Sequence, residues 1–239
     1  MGVGLFITGT DTGVGKTVVT AGLLAAMTGA GLDAVAFKPV QSGAVPGASG
    51  PDSPDAAFYV KASGVAGSSS DYNLYRFIPP LSPHLAAEIS GISIDPSAIL
   101  NRCRDLLAEH RVLLVEGAGG ICVPLTRSGY TVASLAGDLG FPLVVVARPG
   151  VGTINHTVLT ISYALAAGLK VAGFIFNGPG GTKGDPERDN AGIIRQMTGV
   201  PFWGWLPYLP GLDVDAGLCE GLAEVAGKCL KWRKIGGLG

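Results

Sequence analysis

The run Thr8-Gly9-Thr10-Asp11-Thr12-Gly13-Val14-Gly15-Lys16-Thr17 has the residue types and spacing of a phosphate cradle. It follows an apolar stretch, Val3 to Ile7, and precedes a helical pattern that opens at Val18-Val19. A glycine-rich turn between strand and helix points successive backbone N–H groups at an anion, and the helix N-terminus adds partial positive charge. In that setting Lys16 reaches the β- and γ-phosphates and the Thr17 hydroxyl ligates Mg²⁺. The strict spacing Gly-x-x-x-x-Gly-Lys-Thr would need glycine at position 10, which is threonine. Gly9 stands one residue earlier, so the loop is a P-loop lengthened by one. The competing reading is a Gly-rich turn with an exposed lysine, and the order of strand, loop, Gly-Lys-Thr and helix favours the cradle.

Two further segments could serve the same chemistry. Val112-Leu113-Leu114-Val115-Glu116 is an apolar run ending in a carboxylate, followed by Gly117-Ala118-Gly119-Gly120. Alone it reads as a solvated strand end. Beside a P-loop it reads as the acid that holds or orients Mg²⁺, with glycines that let backbone approach a nucleotide. Lys38-Pro39-Val40-Gln41-Ser42-Gly43 closes another apolar run. Lys38 is either an ordinary strand-end lysine or a second fixed cation for charge on a transferring phosphoryl group. Asp55 is either a second carboxylate for Mg²⁺ or an acid placed at a helix start by the dipole. His84, His110 and His156 are too scattered for a metal site or a catalytic base, and no Ser/His/Asp pattern is evident.

The elements that must position these groups follow from hydrophobic patterning. Apolar runs at Gly4–Thr8, Ala34–Lys38, Val112–Glu116, Leu143–Ala147 and Val171–Phe176 alternate with helical patterns. Such continuous apolar strands imply a parallel sheet covered on both faces. Asp95-Pro96 predicts a capped helix with Ile99, Cys103, Leu106 and Leu107 on one face. Thr153 predicts the cap of another, with Ile154, Val158, Ile161 and Leu165 as its stripe and Gly168 as its end. Residues 43–54 and 177–185 read as loops, and the crevice of an open parallel sheet lies beyond such strand ends.

Composition bounds the function. The 239 residues suit one large α/β domain, with 47% hydrophobic and 15% charged residues. A net charge of −1 favours neither nucleic acid nor an anionic membrane. The basic residues Lys228, Lys231, Arg233 and Lys234 fit the C-terminus of a last helix. The four cysteines show no metal or disulfide spacing and read as reduced, packed side chains of a cytoplasmic protein. The start runs straight into a strand, which predicts no signal peptide, and no apolar run approaches the ~20 residues of a membrane span. The ending Gly236-Gly237-Leu238-Gly239 is expected to fray.

In order and spacing, these segments resemble the dethiobiotin synthetase family. The matching pieces are Thr8 to Thr12, Gly15-Lys16-Thr17, Lys38-Pro39-Val40 with Ser42-Gly43, and Asp55. They continue with Ser82-Pro83-His84, Glu116 to Gly120, Asn155-His156 and Asn177, and the match runs from residue 5 to roughly 210. The resemblance implies a P-loop α/β fold, residues 1–239 as one synthetase domain, with about seven mainly parallel strands and pairing as a homodimer. It implies ATP and Mg²⁺, with 7,8-diaminononanoate and CO₂ (or bicarbonate) as substrates and dethiobiotin, ADP and phosphate as products. By the same resemblance Gly13, Val14, Gly15, Lys16 and Thr17 hold the phosphates, with Gly117, Ala118 and Gly119 beside the nucleotide. Thr17, Asp55 and Glu116 hold Mg²⁺, and Lys16 and Lys38 stabilise carbamate and phosphoryl charge. Thr12 and Ser42 lie near the diamine. Asn177 reads adenine, with Pro207, Tyr208 and Leu209 along the base. Gly152, Thr153, Ile154 and Asn155 receive the substrate carboxylate from the partner subunit. The chain departs from the family's pattern at Gly13, where many relatives carry glutamate, after Asn177, and over Pro210–Val214.

Three other readings remain. A partitioning-type switch ATPase shares the strand–loop–helix start but carries an additional lysine early in the loop, where this chain has Asp11. A cobyrinate-amidase-like ligase usually appends a glutaminase domain, for which the chain looks too short. A small-molecule kinase would stop at a phosphorylated product.

Overall fold

The computed structural model describes residues 2–48, 50–181 and 185–237. The chain runs β1 (Val3–Gly9), α1 (Lys16–Gly29), β2 (Ala34–Ser42), β3 (Val45–Gly47), β4 (Gly50–Asp52), α2 (Pro54–Ser63), β5 (Asn73–Phe77) and α3 (Pro83–Ile89). It continues α4 (Pro96–Glu109), β6 (Val112–Gly120), α5 (Val132–Leu139), β7 (Leu143–Ala147), α6 (Thr153–Ala166), β8 (Val171–Gly178), α7 (Arg188–Thr198), β9 (Phe202–Pro207) and α8 (Leu222–Cys229). Seven strands form one sheet in the order β5-β2-β6-β1-β7-β8-β9, and every neighbouring pair is parallel.

The expected parallel α/β architecture is therefore present. Every residue of β7 is buried, as are all but the last of β2, so alternate side chains on both sides of the sheet are covered. Helices α1, α2 and α8 pack on one another, as do α6 and α7. The order places β2, β6 and β1 side by side. Lys38 and Glu116, midway along β2 and β6 where the pairing of the two strands stops, and the loop after Gly9 therefore open on one crevice.

Several expectations need correction. Residues 43–54 are not wholly loop: Val45 pairs with Asp52 and Gly47 with Gly50 in an antiparallel hairpin, and Pro54 starts α2. The local pairing satisfies backbone groups that an irregular loop would leave to water. Thr153 is not the cap of α6. Gly152 holds that position at φ 91°, a left-handed conformation suited to glycine, and Thr153 is the first helical residue. The buried face of α6 is Thr153, Thr157, Thr160, Ile161 and Ala164, while Leu165 is 47% exposed. Of the expected stripe, Ile161 is fully buried and Ile154 and Val158 pack against the core, so only Leu165 turns outward. All four cysteines are free thiols, but only Cys103 is buried, and Cys122 and Cys229 are exposed. The helix expected after Asp95-Pro96 forms as Pro96–Glu109, with Asp95 Oδ1 accepting from Ser97 N. The 177–185 segment begins inside β8, and the C-terminal Leu238 and Gly239 lie outside the described residues.

Strand β9 shows why a glycine sits inside an apolar strand. Gly204 has φ 127°, and a Cβ there would stand 2.1 Å from the carbonyl oxygen of Cys229. Gly204→Ala is expected to destabilise the fold by about 3 kcal/mol or more. Thermal unfolding should then show a midpoint lower by roughly 6–12 °C.

Candidate active site

The loop between β1 and α1 is shaped by two left-handed glycines, Gly13 at φ 70° and Gly15 at φ 87°. Gly15 is the N-cap of α1, and the first turn of α1 holds no acidic side chain, so its N–H groups face an incoming anion without internal competition. A Cβ on Gly15 would fall 1.9 Å from Asn177 Nδ2, so only glycine fits. Asn177 reaches from the end of β8 and donates to the Val14 carbonyl at 3.1 Å, tying the loop to the sheet. Lys16 Nζ bends back over the loop to the Asp11 carbonyl at 3.1 Å.

Beneath the loop lies a compact charge cluster. Phe37 of β2 is in register with Val115 of β6, and the next residues on the two strands are Lys38 and Glu116. Lys38 Nζ sits 2.5 Å from Glu116 Oε1 and 2.6 Å from Asp55 Oδ2. Thr17 Oγ1 donates to the same Glu116 Oε1 at 3.2 Å, and the Tyr59 hydroxyl donates to Oε2 at 2.5 Å. Asp55 is carried on the first turn of α2, a helix started by Pro54 and capped by Ser53 Oγ, which accepts from Ala56 N at 3.2 Å.

Burial shapes the protonation of this cluster. Burial of Lys38 opposes its charge, but Asp55 and Glu116 outweigh that and raise the ammonium's pKa above the usual lysine range. Lys16 has no such direct pairing: burial and the nearby Lys38 ammonium pull it from 10.5 down to about 8. Tyr59 is raised well above its ordinary value by burial and by Glu116 and Asp55, so its hydroxyl stays protonated and donates.

Thr12, Gly13, Gly15, Lys16, Thr17, Lys38, Ser42, Asp55, Glu116, Ala118 and Gly119 line one cavity of about 340 Å³. Residues expected from four separate stretches of sequence thus meet at one place. Gly117 does not face this cavity. It is buried against Phe6 and Val132, where a Cβ would lie 3.0 Å or less from their side chains, so its role is close packing. Asn177, Gly13, Val14 and Thr153 line an adjoining cavity of about 490 Å³. Pro207 pairs with Gly178, and Tyr208 N donates to the Gly178 carbonyl, but the Tyr208 ring is 66% exposed and none of residues 207–209 lines that cavity. Gly152 and Asn155 lie exposed outside both cavities, and Ile154 packs into a core cluster.

The described residues contain no group of three or more His, Cys, Asp or Glu side chains able to hold a metal alone. They offer instead a hydroxyl and two carboxylates lining one cavity, with both carboxylates also paired to the Lys38 ammonium. Such hard oxygen donors fit Mg²⁺, which takes one or two carboxylates and completes its shell with phosphate oxygens and water.

A family model described as an AAA domain matches residues 3–216. An ATP-dependent dethiobiotin synthetase from Anoxybacillus flavithermus is 47% identical over 206 residues, covering 86% of this chain and 92% of that protein. The chain belongs to the dethiobiotin synthetase family. A second synthetase of the family, from Anaeromyxobacter sp., is 43% identical and covers 87% of this chain and 92% of its own length. Among solved structures, the septum site-determining protein MinD with Mg-ADP from Pyrococcus horikoshii gives a TM-score of 0.60 at 18% identity, covering 100% of this chain and 97% of its own. A ParA family ATPase from Chlorobium tepidum gives 0.53 at 13% identity, covering 100% and 93%. At that distance the likeness shows the fold alone.

In this member of the dethiobiotin synthetase family, sequence reading missed four side chains around the crevice. Gln41 and Asp215 line the same cavity as Lys16. Arg148, at the end of β7, reaches the Gly13 carbonyl at 3.3 Å. Tyr59 is the fourth. An aromatic residue in a helical pattern reads as core, and nothing but the register of α2 against β6 exposes its contact. Asp55 and Tyr59 are four residues apart on one helix, which was the available signal.

The depressed Lys16 makes nucleotide binding a proton-linked event. At pH 8 about half of its amines are neutral, and a polyphosphate favours the charged form, so binding draws protons from solution. Calorimetry of ADP binding in buffers of different ionisation enthalpy should show uptake of about half a proton at pH 8. Uptake should fall to about a tenth at pH 7, where the amine is already charged. No buffer dependence at pH 8 would contradict the shift.

Proposed function

We propose that this chain is an ATP-dependent dethiobiotin synthetase that closes the ureido ring of dethiobiotin from 7,8-diaminononanoate and CO₂, releasing ADP and phosphate. The observation that carries the reading is the convergence of Lys16, Thr17, Lys38, Asp55 and Glu116 on one crevice under a P-loop, in a chain of this family. One substrate amine captures CO₂ as a carbamate, and a carbamate oxygen attacks the γ-phosphate. The neighbouring amine then attacks the carbon of the mixed anhydride, forming the second C–N bond as phosphate leaves. Phosphorylation turns a poor oxide leaving group into a good one, so positioning and charge neutralisation do most of the catalysis.

The roles follow from chemistry and placement. Backbone N–H groups of residues 13–17 hold the β- and γ-phosphates, and Lys16 reaches the bridging region. Thr17, Asp55 and Glu116 would hold Mg²⁺, which when bound neutralises charge between the phosphates. Lys38, fixed at the crevice floor, faces the carbamate and the transferring phosphoryl group, with Thr12 and Ser42 beside the diamine. Asn177 reads the base from the adjoining cavity, with residues 207–209 at its edge.

We infer a homodimer as the working unit. The α6 N-terminus at Gly152 to Asn155 is an anion-binding feature outside its own crevice, suited to the carboxylate of a diamine bound by a second copy. The same region leaves Val151, Leu159, Tyr163 and Leu165 exposed, apolar surface that a partner would cover. Among the described residues no helix is long and apolar enough to cross a membrane. The free thiols and the dependence on ATP support a cytoplasmic setting.

Purified protein should release phosphate from MgATP only when diamine and bicarbonate are both supplied, and mass spectrometry should find the labelled carbon in the ring. Lys16→Gln should nearly abolish turnover. Lys38→Met should depress kcat more than ATP affinity, because its partner is the reacting centre. Hydrolysis stimulated by lipid or DNA and independent of the diamine would point instead to a switch ATPase.

Subunit sharing has its own test. Lys16→Gln disables a chain's own crevice, and Asn155→Asp places a repelling charge where the partner's substrate would dock. Mixed and re-equilibrated, the two inactive variants should regain about a quarter of wild-type activity, because half of the dimers are hybrids with one intact site each. No recovery in demonstrably mixed dimers would place the carboxylate elsewhere.

A further inference from the structure

Glu116 divides its two carboxylate oxygens between different partners. Oε1 faces the crevice, where it meets Lys38 Nζ and Thr17 Oγ1. Oε2 receives the Tyr59 hydroxyl at 2.5 Å. Both residues are fully buried, so neither side chain can swing out to water. Tyr59 stands one helical turn beyond Asp55 on α2, so the helix that delivers one carboxylate also restrains the other. Phe58 beside it on α2 is equally buried without a hydroxyl. What the hydroxyl adds is one directed hydrogen bond to a charged acceptor, among the stronger kinds a protein makes.

We propose that Tyr59 is a positioning residue that occupies Glu116 Oε2 and so limits a metal to Oε1, the oxygen it would share with Lys38 Nζ and Thr17 Oγ1, enforcing one-oxygen coordination and thereby favouring Mg²⁺ over Ca²⁺. This rests on the reading of Thr17, Asp55 and Glu116 as the Mg²⁺ donors. The physical argument is one of geometry. Mg²⁺ is small, requires near-octahedral angles and suits a carboxylate that offers a single oxygen. Ca²⁺ is larger and accepts both oxygens of a carboxylate. With Oε2 engaged by the phenol, Glu116 cannot rotate to present both oxygens without breaking a buried hydrogen bond. Partners behind a metal's ligands typically change metal affinity by 10- to 100-fold when removed.

The test needs no turnover. ADP affinity is measured by calorimetry without metal, with Mg²⁺ and with Ca²⁺, in wild type and in Tyr59→Phe, which keeps the ring and removes the hydroxyl. The expected result is metal-free ADP affinity unchanged, the Mg²⁺-dependent gain reduced by about tenfold, and the Ca²⁺-to-Mg²⁺ affinity ratio raised. A folded Tyr59→Phe protein with wild-type gains for both ions would overturn the proposal while leaving the metal site standing. Wild-type ADP affinity that does not respond to Mg²⁺ would sink the metal site itself and this role with it. Tyr59→Leu is a second hydroxyl-free variant should the first fail to fold. Failure of both to fold would make Tyr59 a packing residue and also overturn the assignment.

Discussion

The ion pair of Lys38 with Asp55 and Glu116 is the constraint on which the rest of the site depends. Charges that far from water are tolerated only when matched and hydrogen-bonded, and removing one partner leaves another uncompensated. The match is made by the strand order: β2 beside β6, in register up to Phe37 and Val115, sets a lysine against a glutamate midway along both strands, just past their last paired residues. With β1 on the other side of β6, the phosphate loop hangs over the same spot. The cluster thus ties the sheet, α2 and the loop helix α1 together through four side chains and one tyrosine.

Such an arrangement has two positive and two negative side chains close together, with Lys16 the less firmly held of the cations. Lys38 has both carboxylates within 2.6 Å, whereas Lys16 contacts a backbone carbonyl. That asymmetry separates their chemistry. The loop lysine is poised to gain from an arriving polyanion, and the strand lysine is already fully charged and fixed in place.

Much of this was legible in the chain because each part has a local signature. Five strands showed as apolar runs, and the glycine pattern around Lys16 marked the turn and the helix start. Strands β5 and β9 were not located. β5 alternates buried ends with half-buried Leu74, Tyr75 and Arg76, and β9 contains Gly204, whose backbone bends for a neighbouring carbonyl. The α6 stripe was legible except at Leu165, but not the threonines that share its packed face. Tyr59 stayed hidden for a different reason. Its importance comes from a contact 57 positions away in sequence, which the four-residue spacing from Asp55 does not by itself reveal. The solved structures share the overall path at under 20% identity, so that likeness is one of fold and function has to be read from the site.

Ser53 deserves a last look for what its single hydroxyl links. It is fully buried, caps α2 through Ala56 N, and donates to Gln41 Oε1 at 3.0 Å, on the strand that carries Lys38. One small uncharged side chain therefore works as a pivot pin between a strand and a helix that bear opposite charges. The aim of Asp55 is thereby anchored to the strand that carries Lys38, by a buried residue that lines neither cavity.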